Sequence, residues 1–312
     1  MRECLSWSDI THCRTLYSLL TRKVTSWQVV IFATKMASPK AVAVVTGSNK
    51  GIGLQIVKGL CQRFNGDVYL TARNEDLGQA AVQSLKAEGL NPKFHQLDIT
   101  DSVSINRLRD HLQEQYGGLD VLVNNAGIAF KKNTDTSFAE QARKTCGVNF
   151  FSQVDVSDAL FPLLRPHARV VNMSSMASQW SISKCSSDIQ ARFTDAAITL
   201  PQLKALVQEF IDAAQTNDHV KQGWSDMAYG VSKIGMTVLT FIQHRELSQD
   251  SRSDIVINSC CPGYVQTDLT SNQGPKTPEQ GADTPLFLAL LPPTTTTPNG
   301  EFVSDRKIQK WG

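Results

Sequence analysis

Residues 41–60 constrain this chain more than any other stretch. Ala41-Val42-Ala43-Val44-Val45 is a run of small and β-branched apolar residues that sits comfortably only as a strand buried on both faces. It runs into Thr46-Gly47-Ser48-Asn49-Lys50-Gly51-Ile52-Gly53, a glycine-rich turn, and 54–60 then follow a helical apolar pattern. Strand, turn and helix together make an anion site. Glycines let the backbone approach a pyrophosphate, and a helix N-terminus offers free N–H groups and a positive dipole end. Three glycines alone fit an ordinary tight turn equally well. The strand before, the helix after and a second strand–helix unit behind decide for nucleotide binding.

The rest of the chain repeats that rhythm. Strands are expected at 67–71, 93–97, 119–123, 169–173, 255–259 and 301–304, and helices at 74–88, 101–116, 137–164 and 227–247. Strands alternating with helices imply parallel pairing by right-handed crossovers, hence an α/β doubly wound, Rossmann-type sheet. The stretch 177–226 departs from the pattern and reads as a helical insertion between the fifth strand and the late helix. Within it, Thr199 caps a helix whose Leu203, Leu206, Val207, Phe210, Ile211 and Ala214 form one apolar stripe, so the segment packs on something. Residues 39–312 are thus expected to be one Rossmann-type domain. Residues 1–38 lack sustained periodicity and are expected to be a disordered or gene-model extension, with Met36-Ala37-Ser38-Pro39 reading as a natural start. Arg2, Arg14, Arg22 and Lys23 suit a mitochondrial presequence, but Glu3 and Asp9 speak against one.

Bulk properties exclude several classes of function. A net charge of +2 without a basic run gives no nucleic-acid field, and no apolar run approaches a membrane span. Seven scattered cysteines without a Cys-x-x-Cys pair suggest reduced thiols in the cytoplasm. Six histidines show no metal-ligand spacing, so no metal site is expected. The sequon Asn172-Met173-Ser174 falls in an expected buried strand and reads as chance.

In an open parallel sheet, ligands lie beyond the carboxyl ends of the strands near the switch point. Those ends carry 47–53, Arg73, Asp98, 124–127, Ser174-Ser175 and Pro262-Gly263, with Tyr229 and Lys233 one turn apart on the late helix. Thr46-Gly47-x-x-x-Gly51-x-Gly53, Asn124-Asn125-Ala126-Gly127, Ser175, Tyr229-x-x-x-Lys233 and Pro262-Gly263, in this order and spacing, resemble the short-chain dehydrogenase/reductase family across about 39–312. The segments around Tyr229 and from Cys260 to Asp268, and the long interval between Ser175 and Tyr229, resemble its cytosolic NADPH-dependent carbonyl reductases.

The resemblance implies that Ser175 holds a substrate oxygen and Tyr229 donates its proton. It further implies that Lys233 binds the nicotinamide ribose and Asn149 completes a water-linked relay. Ser174 rivals Ser175, and register with the family favours the second serine. Independently of the family, a free tyrosine is too weak an acid near neutrality, and an adjacent ammonium should lower its pKa. Thr71-Ala72-Arg73-Asn74 offers a cation where an NAD-selective site has a carboxylate, and Lys50 lies in the glycine turn; both suit the 2′-phosphate of NADPH.

Expected cofactor contacts are Gly47, Asn49, Lys50, Gly51, Ile52, Gly53, Arg73, Asp98 (adenine amino group), Asn125, Ala126, Gly127, Tyr229, Lys233, Pro262, Gly263, Val265 and Thr267. Substrate should meet Ser175, Met176, Trp180, Tyr229 and Tyr264; Tyr264 stands where relatives have tryptophan, and Gln266 replaces a common arginine. The resemblance raises glutathione contact at Cys260 and Cys261, against a bland reading as small buried hydrophobes. It also implies a monomer, the inserted helix covering the face through which relatives pair. The expected activity is reduction of aldehydes, ketones and quinones. Its alternatives are an oxidative alcohol, steroid or prostanoid dehydrogenase and a silent NADPH-binding regulator.

Overall fold

The computed structural model describes residues 40–131 and 134–312, so the expectations for 1–38 lie outside the described residues. In chain order the elements are β1 (Val42–Val45), α1 (Gly51–Arg63), β2 (Asp67–Ala72), α2 (Glu75–Ala87), β3 (Lys93–Gln96), α3 (Ser102–Tyr116) and β4 (Leu119–Asn124). Then come α4 (Phe138–Cys146), a π-turn (Gly147–Phe151), α5 (Ser152–Leu160), β5 (Leu164–Met173), α6 (Met176–Ile182), α7 (Ser187–Thr194) and α8 (Leu200–Gln215). The chain closes with α9 (Ala228–Leu247), β6 (Val256–Cys261), α10 (Pro278–Ala289), β7 (Phe302–Ser304) and β8 (Lys307–Ile308).

The strands form one sheet in the order β3-β2-β1-β4-β5-β6-β7-β8, parallel except for β8. The chain builds outward from β1 to β3 and then restarts on the other side of β1, which places the switch point between β1 and β4. All four residues of β1 are buried, as its composition requires. Ala43 and Val45 pack with side chains of α1, α2 and α10 on one face. Val42 and Val44 pack with α3 and α5 on the other. A third cluster gathers α4, α6, α7, α8 and α9, and all six residues of the α8 stripe are buried in it.

Three differences from the sequence reading have physical causes. The helix expected over 137–164 is broken at Gly147–Phe151, where the wider π-turn absorbs an extra residue and holds Asn149 inside. Pro162 ends it in a short 3₁₀ turn. β5 starts at Leu164 rather than 169, paired with Leu119 across a shift in register. The stretch 177–226 holds α7 as well as α8, and α6 begins at Met176.

Candidate active site

The glycine turn shows why each glycine is there. Gly47 and Gly51 have φ of +59° and +58°, which side chains rarely adopt. At Gly53 the need is space: a Cβ would lie 2.5 Å from Asn125 Nδ2 and 2.8 Å from Ser48 Cα. The turn is tied to β4 through one side chain on each side. Asn125 Nδ2 donates to the Thr46 and Gly47 carbonyls at 2.9 and 3.0 Å, and Thr46 Oγ1 accepts from the Asn125 and Ala126 N–H groups. No side chain caps α1, whose N-cap is Lys50, so its first N–H groups are open to an outside acceptor.

These groups edge a cavity of about 340 Å³ that runs from Gly47, Gly51 and Gly53 past Asn125 and Gly127 to Thr267. Residues the sequence reading did not place there complete its far wall: Gln266, Asp268, Leu269, Asn272 and Pro278. The segment after β6 puts them there, its only legible signal being the motif that ends at Asp268. Lys50 Nζ meets Asp268 Oδ2 at 2.6 Å across this wall. Arg73 is exposed at the end of β2, with no ion pair among the described residues. Asp98 Oδ1 accepts from the Thr100 N–H and hydroxyl at the end of β3. Val265 is buried, its side chain filling the space a Cβ on Gly281 would need. Pro262 and Gly263 turn the chain out of β6, Gly263 with φ +89°. Asn49 lies half-buried in the glycine turn.

Beside this cavity, α6 and α9 bring the second group together. Ser175 is the N-cap of α6 and accepts from the Ala177 N–H at 3.1 Å, and its hydroxyl lies near enough to the Tyr229 phenol to lower that group's pKa. Ser174, its rival, is fully engaged elsewhere. It shares a 2.6 Å bond with Thr237 Oγ1 and donates to the Lys233 carbonyl. Lys233 is buried, and its Nζ donates to the Met173 carbonyl at 2.7 Å while lying 5.6 Å from the centre of the Tyr229 ring. A Cβ on Gly127 would lie 3.7 Å from that ammonium, which links this group to the end of β4.

The electrostatics differ from the sequence expectation. Burial is the largest influence on Tyr229 and pushes its pKa up to about 12, helped by Cys261 and opposed by Ser175. Lys233 is committed to a carbonyl and is not among the influences that oppose this burial. Burial also brings Lys233 down to about 8, with charge on Cys260 and Cys261 working the other way. Asn149 likewise serves differently from a free relay group. Its Oδ1 accepts from the Ile128 N–H, and its Nδ2 donates to the Ile128 carbonyl and to Ser232 Oγ. Both amide protons are therefore used, one on the turn after β4 and the other on α9.

Met176 is half-buried, and Trp180 and Tyr264 are 58% and 53% exposed, large rings in water. Cys260 and Cys261 are buried, Cys260 Sγ lying 3.6 Å from Met173 Sδ. That placement agrees with their reading as small hydrophobes. Among the described residues no helix is long and apolar enough to cross a membrane.

A glycine turn on an uncapped helix at the switch point, with a serine, a tyrosine and a lysine converging beside it, defines a nucleotide-dependent oxidoreductase site of the short-chain type. A family model described as short chain dehydrogenase matches residues 41–187. The chain belongs to the short-chain dehydrogenase family. It is 52% identical over 277 residues to carbonyl reductase (NADPH) 1 of Homo sapiens, and 51% identical over 277 residues to that of Mus musculus. Each match covers 88% of this chain and 100% of the relative. Among solved structures, salutaridine reductase from Papaver somniferum superposes with a TM-score of 0.76 at 28% identity, over 85% of this chain and 100% of that one.

Proposed function

We propose that this chain reduces carbonyl compounds (aldehydes, ketones and quinones) to alcohols with NADPH. The observation that carries the reading is the placing of Ser175 and Lys233 about the Tyr229 ring, the Lys233 ammonium 5.6 Å from its centre, beside the glycine-turn cavity. Relatives about half identical over their whole length are named as NADPH carbonyl reductases.

The residues fit a dinucleotide phosphate. The open N–H groups of α1 and the Cβ-free surface of Gly47, Gly51 and Gly53 suit the pyrophosphate. Lys50 and Arg73 supply cations for the 2′-phosphate, Arg73 able to bind it in a fork. Asp98 keeps one carboxylate oxygen for the adenine amino group. Ile52, Ala126, Gly127, Pro262, Gly263, Val265 and Thr267 shape the groove, and Lys233 reaches the nicotinamide ribose. When bound, NADPH supplies the hydride.

The chain's own residues govern the proton. Ser175 Oγ and the Tyr229 hydroxyl converge on one point, where a carbonyl oxygen would accept from both. As that oxygen gains charge, the Tyr229 O–H proton passes to it and completes the alcohol; the phenolate then regains a proton from solvent. A phenol held at about 12 carries its proton at neutral pH, the state that reduction requires. Met176, Trp180 and Tyr264 edge the entry for an apolar substrate, and Asn149 keeps the floor of the site in place.

The finer readings follow from packing. The α8 stripe covers α4 and α9, which supports a monomer. Five free cysteines among the described residues suit the cytoplasm. Burial of Cys260 and Cys261 argues against a thiol-directed contact with glutathione.

NADPH consumption with menadione and a panel of small ketones tests the proposal. Consumption that requires a carbonyl is the expected result. NADPH binding without turnover would return the regulator, and turnover only from alcohol would return the dehydrogenase.

A further inference from the structure

We propose that Trp311, the penultimate residue, is a positioning residue that locks the first turn of α6 against α9 and so fixes Ser175 relative to Tyr229. The inference rests on the reductase reading above.

α6 has only seven residues, yet it begins at the serine that must face the phenol. A helix this short is not stable alone and takes its position from its neighbours. On one side it lies against α9 with no slack. A Cβ on Gly230, next to Tyr229, would come within 1.7 Å of Ser181 Oγ and 3.0 Å of the Ala177 carbonyl. On the other side stands the end of the chain. Trp311 Nε1 donates to Ser178 Oγ at 2.9 Å, and Gln179 Nε2 donates to the Lys310 carbonyl at 2.7 Å. The Trp311 ring meets Phe241 of α9 edge to face, with centroids 5.6 Å apart.

Ser178 is the residue through which this clamp reaches the site. It is fully buried, and its N–H donates to the Ser175 carbonyl at 2.9 Å. Its hydroxyl lies 3.4 Å from Thr237 Oγ1, which bonds Ser174 at 2.6 Å; Thr237 and Ser174 both reach the Lys233 carbonyl, at 3.0 and 3.1 Å. An indole N–H can only donate, so Ser178 Oγ is the acceptor that Trp311 shares with the Thr237 hydroxyl. The C-terminus is thereby tied through three buried hydroxyls to the backbone that carries Ser175 and Lys233.

Trp311→Phe keeps the ring against Phe241 and removes only the donor. Expected is a roughly tenfold lower kcat, with NADPH affinity and melting temperature near those of the wild type, since misplacing a reacting group by a fraction of an ångström acts on turnover first. Ser178→Ala should give a similar loss, and the double variant no more than the larger single one. In the wild type the indole N–H of Trp311 should exchange slowly with water, and its resonance should move in Ser178→Ala. These two readouts hold whether or not the protein reduces carbonyls. An inactive wild type with a protected indole therefore sinks the reductase reading and leaves the clamp standing. Wild-type kcat in Trp311→Phe, or an indole N–H that exchanges freely, overturns the positioning role.

Discussion

Lys50 Nζ and Asp268 Oδ2 stand 2.6 Å apart, the first in the turn after β1 and the second in the segment after β6, so the pair spans one wall of the glycine-turn cavity. Both side chains are about two-thirds exposed, at 68% and 66%. Lys50 is the largest influence holding the Asp268 carboxyl below its usual range, with Lys131 also nearby. The carboxylate thus occupies the cation that the proposed 2′-phosphate needs. Exposed pairs of this kind are weak, being screened by solvent. Asp268→Asn should therefore tighten NADPH roughly 1.5- to 5-fold and leave NADH unchanged, while Lys50→Ala weakens NADPH selectively. Titration of each variant with both nucleotides checks this, and weaker NADPH binding in Asp268→Asn counts against competition.

Ser175 and Tyr229 allow binding to be separated from chemistry. Tyr229→Phe keeps the ring and its contacts and removes only the proton, so turnover should fall by about 10²–10⁴. Ser175→Ala removes the cap on α6 and the hydroxyl proposed to hold the substrate oxygen, so it should cost turnover and some stability together. Steady-state kinetics paired with NADPH affinity distinguishes the outcomes. A Phe variant that still turns over would remove Tyr229 from the proton step.

How much of this was legible in the sequence depends on the reach of each interaction. The glycine turn, β1 and the helix expected over 101–116 follow from local rules, and the structure places them where those rules put them. α10 went unread although Thr277, Pro278 and Gln280 form a complete capping box, because its small and proline-containing sequence shows weak periodicity. The break at Gly147–Phe151 had no local signal; it exists because Asn149 finds Ile128 and Ser232, which lie far off in the chain. The pKa of Tyr229 was misjudged for the same reason. Spacing set Lys233 one turn away, but only the fold showed its ammonium turned to the Met173 carbonyl.

That buried ammonium gives a pH dependence of definite sign. Lys233 titrates at about 8 in the folded chain and near its ordinary 10.5 when unfolded. Below pH 8 both states bind the proton and the burial cost is present in full. Between about 8 and 10.5 the unfolded chain binds more protons, so stability rises with pH across that window. Lys233→Met should accordingly raise the melting temperature at pH 7, with the advantage fading above pH 8, and should abolish turnover. In the unmodified protein kcat/KM for reduction should fall as pH passes about 8, when Lys233 loses the charge it brings to the proposed ribose contact. Thermal melts and rate profiles from pH 6 to 10 read both effects, and a Met variant whose advantage grows with pH would contradict the burial argument.

Phe210 is fully buried at the centre of the α8 stripe, with ring centroids 6.1 Å from Phe138 of α4 and 5.6 Å from Trp224. Around it lie Leu203, Leu206 and Val207 of the same stripe and Val231 and Ile234 of α9, all likewise buried. Truncating such a ring removes its transfer free energy and leaves a cavity, a loss of about 3–5 kcal/mol. In a chain of this length that corresponds to a fall in melting temperature on the order of 10 °C. The second consequence concerns association. With α8 loosened, apolar faces of α4 and α9 become available to another copy, so Phe210→Ala should self-associate where the parent protein sediments as a monomer. Sedimentation velocity at several concentrations decides the matter: a dimeric parent would show that α8 does not cap that surface, and a monomeric variant with the expected loss of stability would confine its role to packing.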